Sequence, residues 1–300
     1  MADIRLTVDC KNHLGEGPVW DVAEQRLYWV DSTAGEIWSC RADGSDVRTF
    51  YVPTYIGSMA LRERGGAVLA LASGLAFYEF DTQKIEIINN PFADQPDYRF
   101  NDGKVDRKGR FYAGCMGYDF DPADVTIPRK PSGNGVLYRL DPDLSVTPVD
   151  DGFICFNAPC WSTDNRTFFC GDSEHKTIWA YQYDLETGAI SDKRPFISDA
   201  GYVGTVDGAT VDTDGFLWNA KVLAGRIIRY RPDGAIDRVI DVPVRNVTSI
   251  AFGGPELDVL YFTSMGRPMR GIPPKEPGAG GLFAIHGLGV NGIPETRFAG

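Results

Sequence analysis

Residues 23–40, AEQRLYWVDSTAGEIWSC, contain two short apolar runs, Leu27-Tyr-Trp-Val30 and Glu36-Ile-Trp-Ser-Cys40. A tight-turn composition, Ala23-Glu-Gln, precedes the first run. Runs of β-branched and aromatic residues bounded by turn residues read as antiparallel strands. The unit recurs along the chain. Val68-Leu-Ala-Leu71, Arg110-Phe-Tyr-Ala113, Thr167-Phe-Phe-Cys170, Phe216-Leu-Trp-Asn219 and Leu260-Tyr-Phe-Thr263 repeat the first run. Ala76–Phe80, Val136–Leu140, Ile178–Gln182, Ile227–Arg231 and Gly281–Ile285 repeat the second. Six copies spaced about 40 to 55 residues apart have the period of propeller blades. No long segment carries apolar residues at i, i+3, i+4 and i+7, which argues against a parallel α/β fold. The expected fold is therefore all-β, a six-bladed β-propeller with a central channel, spanning residues 1–300 as a single domain.

A propeller must close its ring. Ile4-Arg-Leu-Thr-Val8 is one candidate to pair into the last blade and cover its edge, and Glu295-Thr-Arg-Phe298 competes for that role. Two long insertions, 118–134 and 266–280, are rich in Pro, Gly and charge. Loops of that length are more often functional than idle. Asp119, Asp121 and Asn134 are hydrogen-bonding candidates there, and Arg129, Lys130, Arg267 and Arg270 are cationic candidates for an anionic substituent.

The formal net charge of −11 over 300 residues argues against nucleic acid or anionic membrane as partner. No apolar run is long enough to span a bilayer. The start, Met-Ala-Asp-Ile-Arg-Leu, does not read as a secretory signal, and the six cysteines form no C-x-x-C pair. A reduced cytoplasmic protein, monomeric or weakly oligomeric, is the expectation.

One phase of the repeat carries chemistry. Glu16, Asn101, Asn157 and Asp207 each stand at the start of a blade, each beside a Gly or Pro or one residue from it. The first strand of each blade lines the axis, so equivalent positions on different blades face one channel. Asn and Asp also favour ordinary strand ends. Four at one repeat phase set these apart, because two carboxylates and two amide oxygens make an all-oxygen site suited to a divalent ion.

Leu14-Gly-Glu-Gly-Pro-Val-Trp20, Arg99-Phe-Asn-Asp-Gly-Lys-Val-Asp106 and Asp207-Gly-Ala-Thr-Val-Asp212 resemble the gluconolactonase family that includes regucalcin (senescence marker protein). Phe252-Gly-Gly254 and Gly280–Gly289 fit as well, so the resemblance runs through nearly the whole chain. It implies a six-bladed propeller with one axial divalent metal ion (Ca, Zn, Mn, Mg or Fe) that hydrolyses a sugar aldonolactone, a small-molecule partner. It implies Glu16, Asn157 and Asp207 as metal ligands, Asn101 as a metal- or substrate-binding residue and Arg99 as a substrate-contacting arginine. Two departures touch turn shape: Ala158-Pro159 follows Asn157 where the family has Gly, and Val206 precedes Asp207 where it has Pro.

A lactone is an activated ester, so water activated by a metal suffices as nucleophile. Asp207 is the candidate general base. There is no Gly-x-Ser-x-Gly elbow, no phosphate-binding glycine loop and no EF-hand, and His13, His175 and His286 are too few for a histidine-rich zinc site. Two alternatives stay open: a non-catalytic calcium-binding propeller of the regucalcin kind, and a metal-dependent esterase or phosphotriesterase.

Overall fold

The computed structural model describes the chain except residues 1, 96, 118–119, 122–123, 129–132, 200, 202 and 270, with side chains described outside 118–132. Among the described residues there is no helix, and six four-stranded antiparallel sheets form a β-propeller. Each expected run is a strand: the first series forms the second strand of each blade and the second series the third. The inner strands are Gly15–Asp21, Ile56–Leu61, Tyr98–Val105, Phe156–Trp161, Thr205–Val211 and Val247–Gly253, and each contacts its neighbours around the axis.

Burial follows distance from the axis. Arg26–Asp31, Ala67–Leu71 and Phe111–Gly117, all second strands, are buried along their whole length, while the outer strand Arg48–Tyr51 is mostly exposed. The core lies between blades. Val30 and Ile37 of blade one pack with Leu61, Leu69 and Ala76 of blade two, and Trp218 and Ile227 of blade five pack with Phe252, Phe262 and Ile285 of blade six. A blade buries its faces only against its neighbours, so the ring has to be complete to be stable.

The N-terminal segment completes it. Asp3–Val8 pairs antiparallel with Leu282–His286 as the outermost strand of blade six. The C-terminal tail does something else, running across the end of the channel opposite the long loops. Thr213 donates to Asn291 O, Gly292 to Leu257 O, Phe298 to Leu61 O and Ala299 to Gly109 O. Arg107 donates to Pro294 O and Arg297 to Asp21. The tail is a strap tying blades one, two, three, five and six across the base.

All six inner strands break register at one level: between Glu16 and Val19, Ile56 and Ser58, Phe100 and Gly103, Asn157 and Cys160, Val206 and Ala209, and Val247 and Ile250. A bulge bends the strand and re-aims the side chains at it. Six bulges at one height crowd the backbones, and glycine makes the crowding possible. A Cβ on Gly57 would lie 2.5 Å from Asn101 O, and one on Gly208 would lie 2.1 Å from Ser249 Oγ. The six cysteines form no disulfide, and no described helix is long and apolar enough to cross a membrane.

Gly57→Ala puts a methyl group against the backbone of blade three at the level of Asn101. We expect it to lower unfolding free energy by about 1–3 kcal/mol, the usual cost of overpacking, read as a lower urea midpoint at unchanged m-value.

Candidate metal centre at the propeller axis

Glu16, Asn101, Asn157 and Asp207 each lie in or at the edge of one of these bulges, and Arg99 is paired to Met116 just before that of blade three. The strands are held in place by carboxylates behind them. Asp31 accepts from His13 N at 2.6 Å and from Leu14 N at 3.2 Å, which fixes the chain two residues before Glu16. Asp172 accepts from Ile154 N at 2.6 Å, three residues before Asn157. In blade five the buried Lys221–Asp199 ion pair lies beside the start of the strand that carries Asp207.

The orientation of the site starts at Arg99. It is 3% exposed, its guanidinium stacks 3.8 Å from the centre of the Tyr55 ring, and Nη1 donates to Asn101 Oδ1 at 2.8 Å and to Phe100 O at 3.0 Å. A guanidinium only donates. Asn101 must therefore turn its oxygen to Arg99, and its Nδ2 donates to Phe156 O at 2.8 Å and to Asn157 Oδ1 at 3.1 Å. On the other side, Ser173 Oγ donates to Val206 O at 2.6 Å, so it accepts from Asn157 Nδ2 at 2.7 Å. Both ends of the Asn157 amide are thus assigned, with Oδ1 toward the axis. Turning this amide over would let it donate to Asp207, but would set two amide nitrogens 3.1 Å apart. With Oδ1 inward, that oxygen lies 3.2 Å from Asp207 Oδ1. Two acceptor oxygens at that distance have no proton to share once Asp207 is ionised, and a cation satisfies both.

Glu16, half-buried, and Asp207, 7% exposed, bring two carboxylates into each other's field beside this amide. Among the described residues no three His, Cys, Asp or Glu side chains are arranged to hold an ion by themselves. An ion held here would draw on the Asn157 amide oxygen beside the carboxylates of Glu16 and Asp207. The residues fit a hard divalent ion: oxygen donors only, two of them anionic. Asn101, accepting from Arg99 and donating to Asn157 Oδ1, braces the Asn157 amide. The matching positions in blades two and six give nothing: Gly57 has no side chain, and the Thr248 hydroxyl is spent on Gly15 O and Thr263.

Sequence reasoning missed Asp102. Its neighbour Asn101 faces the axis, and in a regular strand the next residue faces away. The bulge skips both residues in the pairing with blade three's second strand, so both turn inward. Asp102 is pinned by Ala158 N at 2.9 Å on Oδ2 and Gly103 N at 2.8 Å on Oδ1. Ala158 holds φ +59°, a left-handed conformation that suits the glycine found there in the family. Ala158 adopts this turn without a glycine, and its N–H reaches Asp102.

Three carboxylates, Asp207 buried and Glu16 and Asp102 half-buried, share one field. Burial, then repulsion from Asp102, pushes Glu16 up to about 8, offset by the Gly17 N–H and Arg99. Burial also lifts Asp102 to about 6, against the pull of Lys104 and two backbone N–H groups. Asp207 is raised well above its usual value by burial, then by Glu16 and Asp102.

Other candidates lie elsewhere. His13 is exposed, His175 Nδ1 meets Asp172 Oδ2 at 3.0 Å, and His286 is half-buried opposite Asp3. Arg267 is half-buried and Asn134 exposed. Arg129, Lys130, Arg270 and Asp119, and the Asp121 side chain, lie outside the described residues. Around the mouth, Leu14, Val222, Met265 and Met269 pack with Tyr55 and Leu223 as an apolar collar.

The fold and the axial donors define a class: six-bladed propellers with an oxygen-lined polar site on the axis. A model of the SMP-30/gluconolactonase/LRE-like region matches residues 14–266, and the chain belongs to that family. It is 38% identical to regucalcin of Gallus gallus over 96% of this chain and 95% of that protein. Among solved structures it is similar to a luciferin-regenerating enzyme (TM-score 0.91, 28% identity, 100% of both chains). It is also similar to a calcium-binding protein, regucalcin, from Agrobacterium tumefaciens (TM-score 0.86, 25% identity, 97% of this chain and 96% of that one).

Carboxylates with raised folded-state pKa values bind more protons folded than unfolded. Their contribution is intact below the unfolded values, 4.5 for Glu16 and 3.8 for Asp102, and is lost as pH rises toward about 8. We expect the chelated protein to lose thermal stability between pH 5 and pH 8 and saturating Ca²⁺ to remove that loss. The calcium-induced rise in Tm therefore grows with pH in scanning calorimetry. A rise that is flat with pH would separate the ion from these carboxylates.

Proposed function

We propose that the axial site binds one divalent cation and hydrolyses a sugar lactone to its aldonic acid. The observation that carries this reading is the approach of Asn157 Oδ1 and Asp207 Oδ1 with Glu16 in the same field. Glu16, Asn157 and Asp207 would hold the ion. Calcium, magnesium or manganese suit such donors, and zinc or iron are tolerated. The bacterial relative described as calcium-binding supports that ion class, and the family's description, which includes gluconolactonase, supports the reaction. When bound, the ion supplies electrophilic pull on a carbonyl oxygen or lowers the pKa of water.

The chain's own residues do the rest. Asp207 has one oxygen turned to Asn157, which leaves the second to take the proton from the attacking water. This divides the tasks of ligand and base between two oxygens of one carboxylate. Arg99, held by Tyr55 and Asn101, is a fixed positive charge within electrostatic reach of Glu16. It orients sugar hydroxyls or steadies the oxyanion that forms as water adds, and a charge set in advance costs no reorganisation there. The collar of Leu14, Val222, Met265 and Met269 limits water around the reacting ester. A second reading, a non-catalytic calcium-binding propeller, draws on the regucalcin names of the relatives. Arg99 favours the enzyme, because a plain calcium site gains nothing from a buried cation beside it.

The purified protein, loaded with Ca²⁺, Mn²⁺ or Zn²⁺, should open gluconolactone and related five- and six-membered sugar lactones above the buffer rate, and chelation should return the rate to background. Aryl esters and phosphotriesters in the same panel test the wider hydrolase classes. Asp207→Asn should lower kcat by about a hundredfold or more, on the scale of general-base loss. Full activity in that variant would remove Asp207 from the chemistry, and cation binding with no turnover on any substrate would establish the binding-protein reading.

A further inference from the structure

Beneath the three carboxylates the channel narrows to a cavity of about 30 Å³, lined by Gly17, Asp102, Lys104, Pro159, Ala209 and Glu295 among others. That is room for one or two water molecules and no sugar. Lys104 lies two residues after Asp102 on the inner strand of blade three, just past the bulge. Its ammonium reaches across the axis to Ala209 O at 3.3 Å and to Glu295 Oε1 at 3.0 Å. Both side chains are largely buried, at 20% and 14% exposure.

Glu295 belongs to no blade. It comes from the strap, held on either side by the contacts of Arg107 with Pro294 O and Thr296 and by Arg297, which bonds Asp21 and Arg62 O. The strap therefore places a carboxylate on the axis, directly against the one ammonium seen there among the described residues. The two charges are not a surface pair, and charges this far buried are screened less than surface ones. Lys104 already acts on Asp102, holding its carboxyl below where burial alone would set it.

We propose that Lys104 and Glu295 are positioning residues that set the cation affinity of the axial site from below, with Lys104 opposing the ion and Glu295 restoring it. The inference rests on the reading that the ion sits among Glu16, Asn157 and Asp207. The two residues touch neither ion nor substrate and act through charge. Their effects on affinity must therefore have opposite signs, an outcome that loss of structure does not produce.

The test is a Ca²⁺ titration of the full chain by calorimetry at pH 8, with Mn²⁺ as a second probe. Glu295→Gln leaves the ammonium unbalanced and should weaken binding by about threefold or more. Lys104→Met removes the repulsion and should tighten binding by a similar factor, the double variant should return toward wild type, and Lys104→Arg should keep wild-type affinity. If Lys104→Met does not fold, Lys104→Gln replaces it in the same titration. Shifts of the same sign in both single variants, or no shift in either, would overturn the proposal. Failure of the underlying reading looks different: the wild type does not bind Ca²⁺, or Asp207→Asn binds it as tightly as the wild type.

Discussion

A guanidinium has no lone pair to offer, and that asymmetry orders the axis. Arg99 can only donate, so Asn101 must receive with its oxygen and give with its nitrogen, and Asn157 must then receive in turn. Ser173 agrees from the opposite side, because its proton is committed to Val206 O. Two separate chains of directed hydrogen bonds thus force one amide oxygen toward a carboxylate oxygen. A buried acceptor pair of this kind is costly unless a positive charge lies between. Tyr55 completes the device by pinning the guanidinium face, so the arginine cannot swing away.

The second requirement is a backbone that puts side chains from separate sheets at one height. A regular strand turns every other residue from the axis and offers one inward side chain per blade at each level. The bulges change that count. In blade three, both Asn101 and Asp102 face inward, and Gly57 lets blade two approach the backbone there, as Gly208 lets blade five approach blade six. Side-chain placement and glycine placement are one constraint, since the backbones could not approach this closely if either glycine carried a methyl group.

The architecture was legible because it rests on period. Leu27–Val30 and its five counterparts alternate and recur, and repetition is visible without coordinates. Glu16, Asn101, Asn157 and Asp207 were legible for the same reason, each standing at one phase of that repeat. Asp102 was hidden because the bulge breaks the period-two rule that located the others. Lys104 carried no signal of its own, since its partner Glu295 lies 191 residues away in the tail. That tail was weighed as a ring closure, and local composition held nothing to separate the roles. Pairing to Leu282–His286 suits Asp3–Val8, which alternates apolar Ile4, Leu6 and Val8 with polar positions, as an outer edge strand should.

That first strand also bears on how the molecule is made. Asp3–Val8 is synthesised nearly three hundred residues before its pairing partner. At about 5–20 residues per second the segment waits on the order of 15–60 s without a sheet to join. Through that interval five blades can stack while the ring stays open. Asp3 and Arg5, paired with each other at the exposed edge, keep the waiting strand polar on one face and so discourage it from adding to a sheet of another nascent chain.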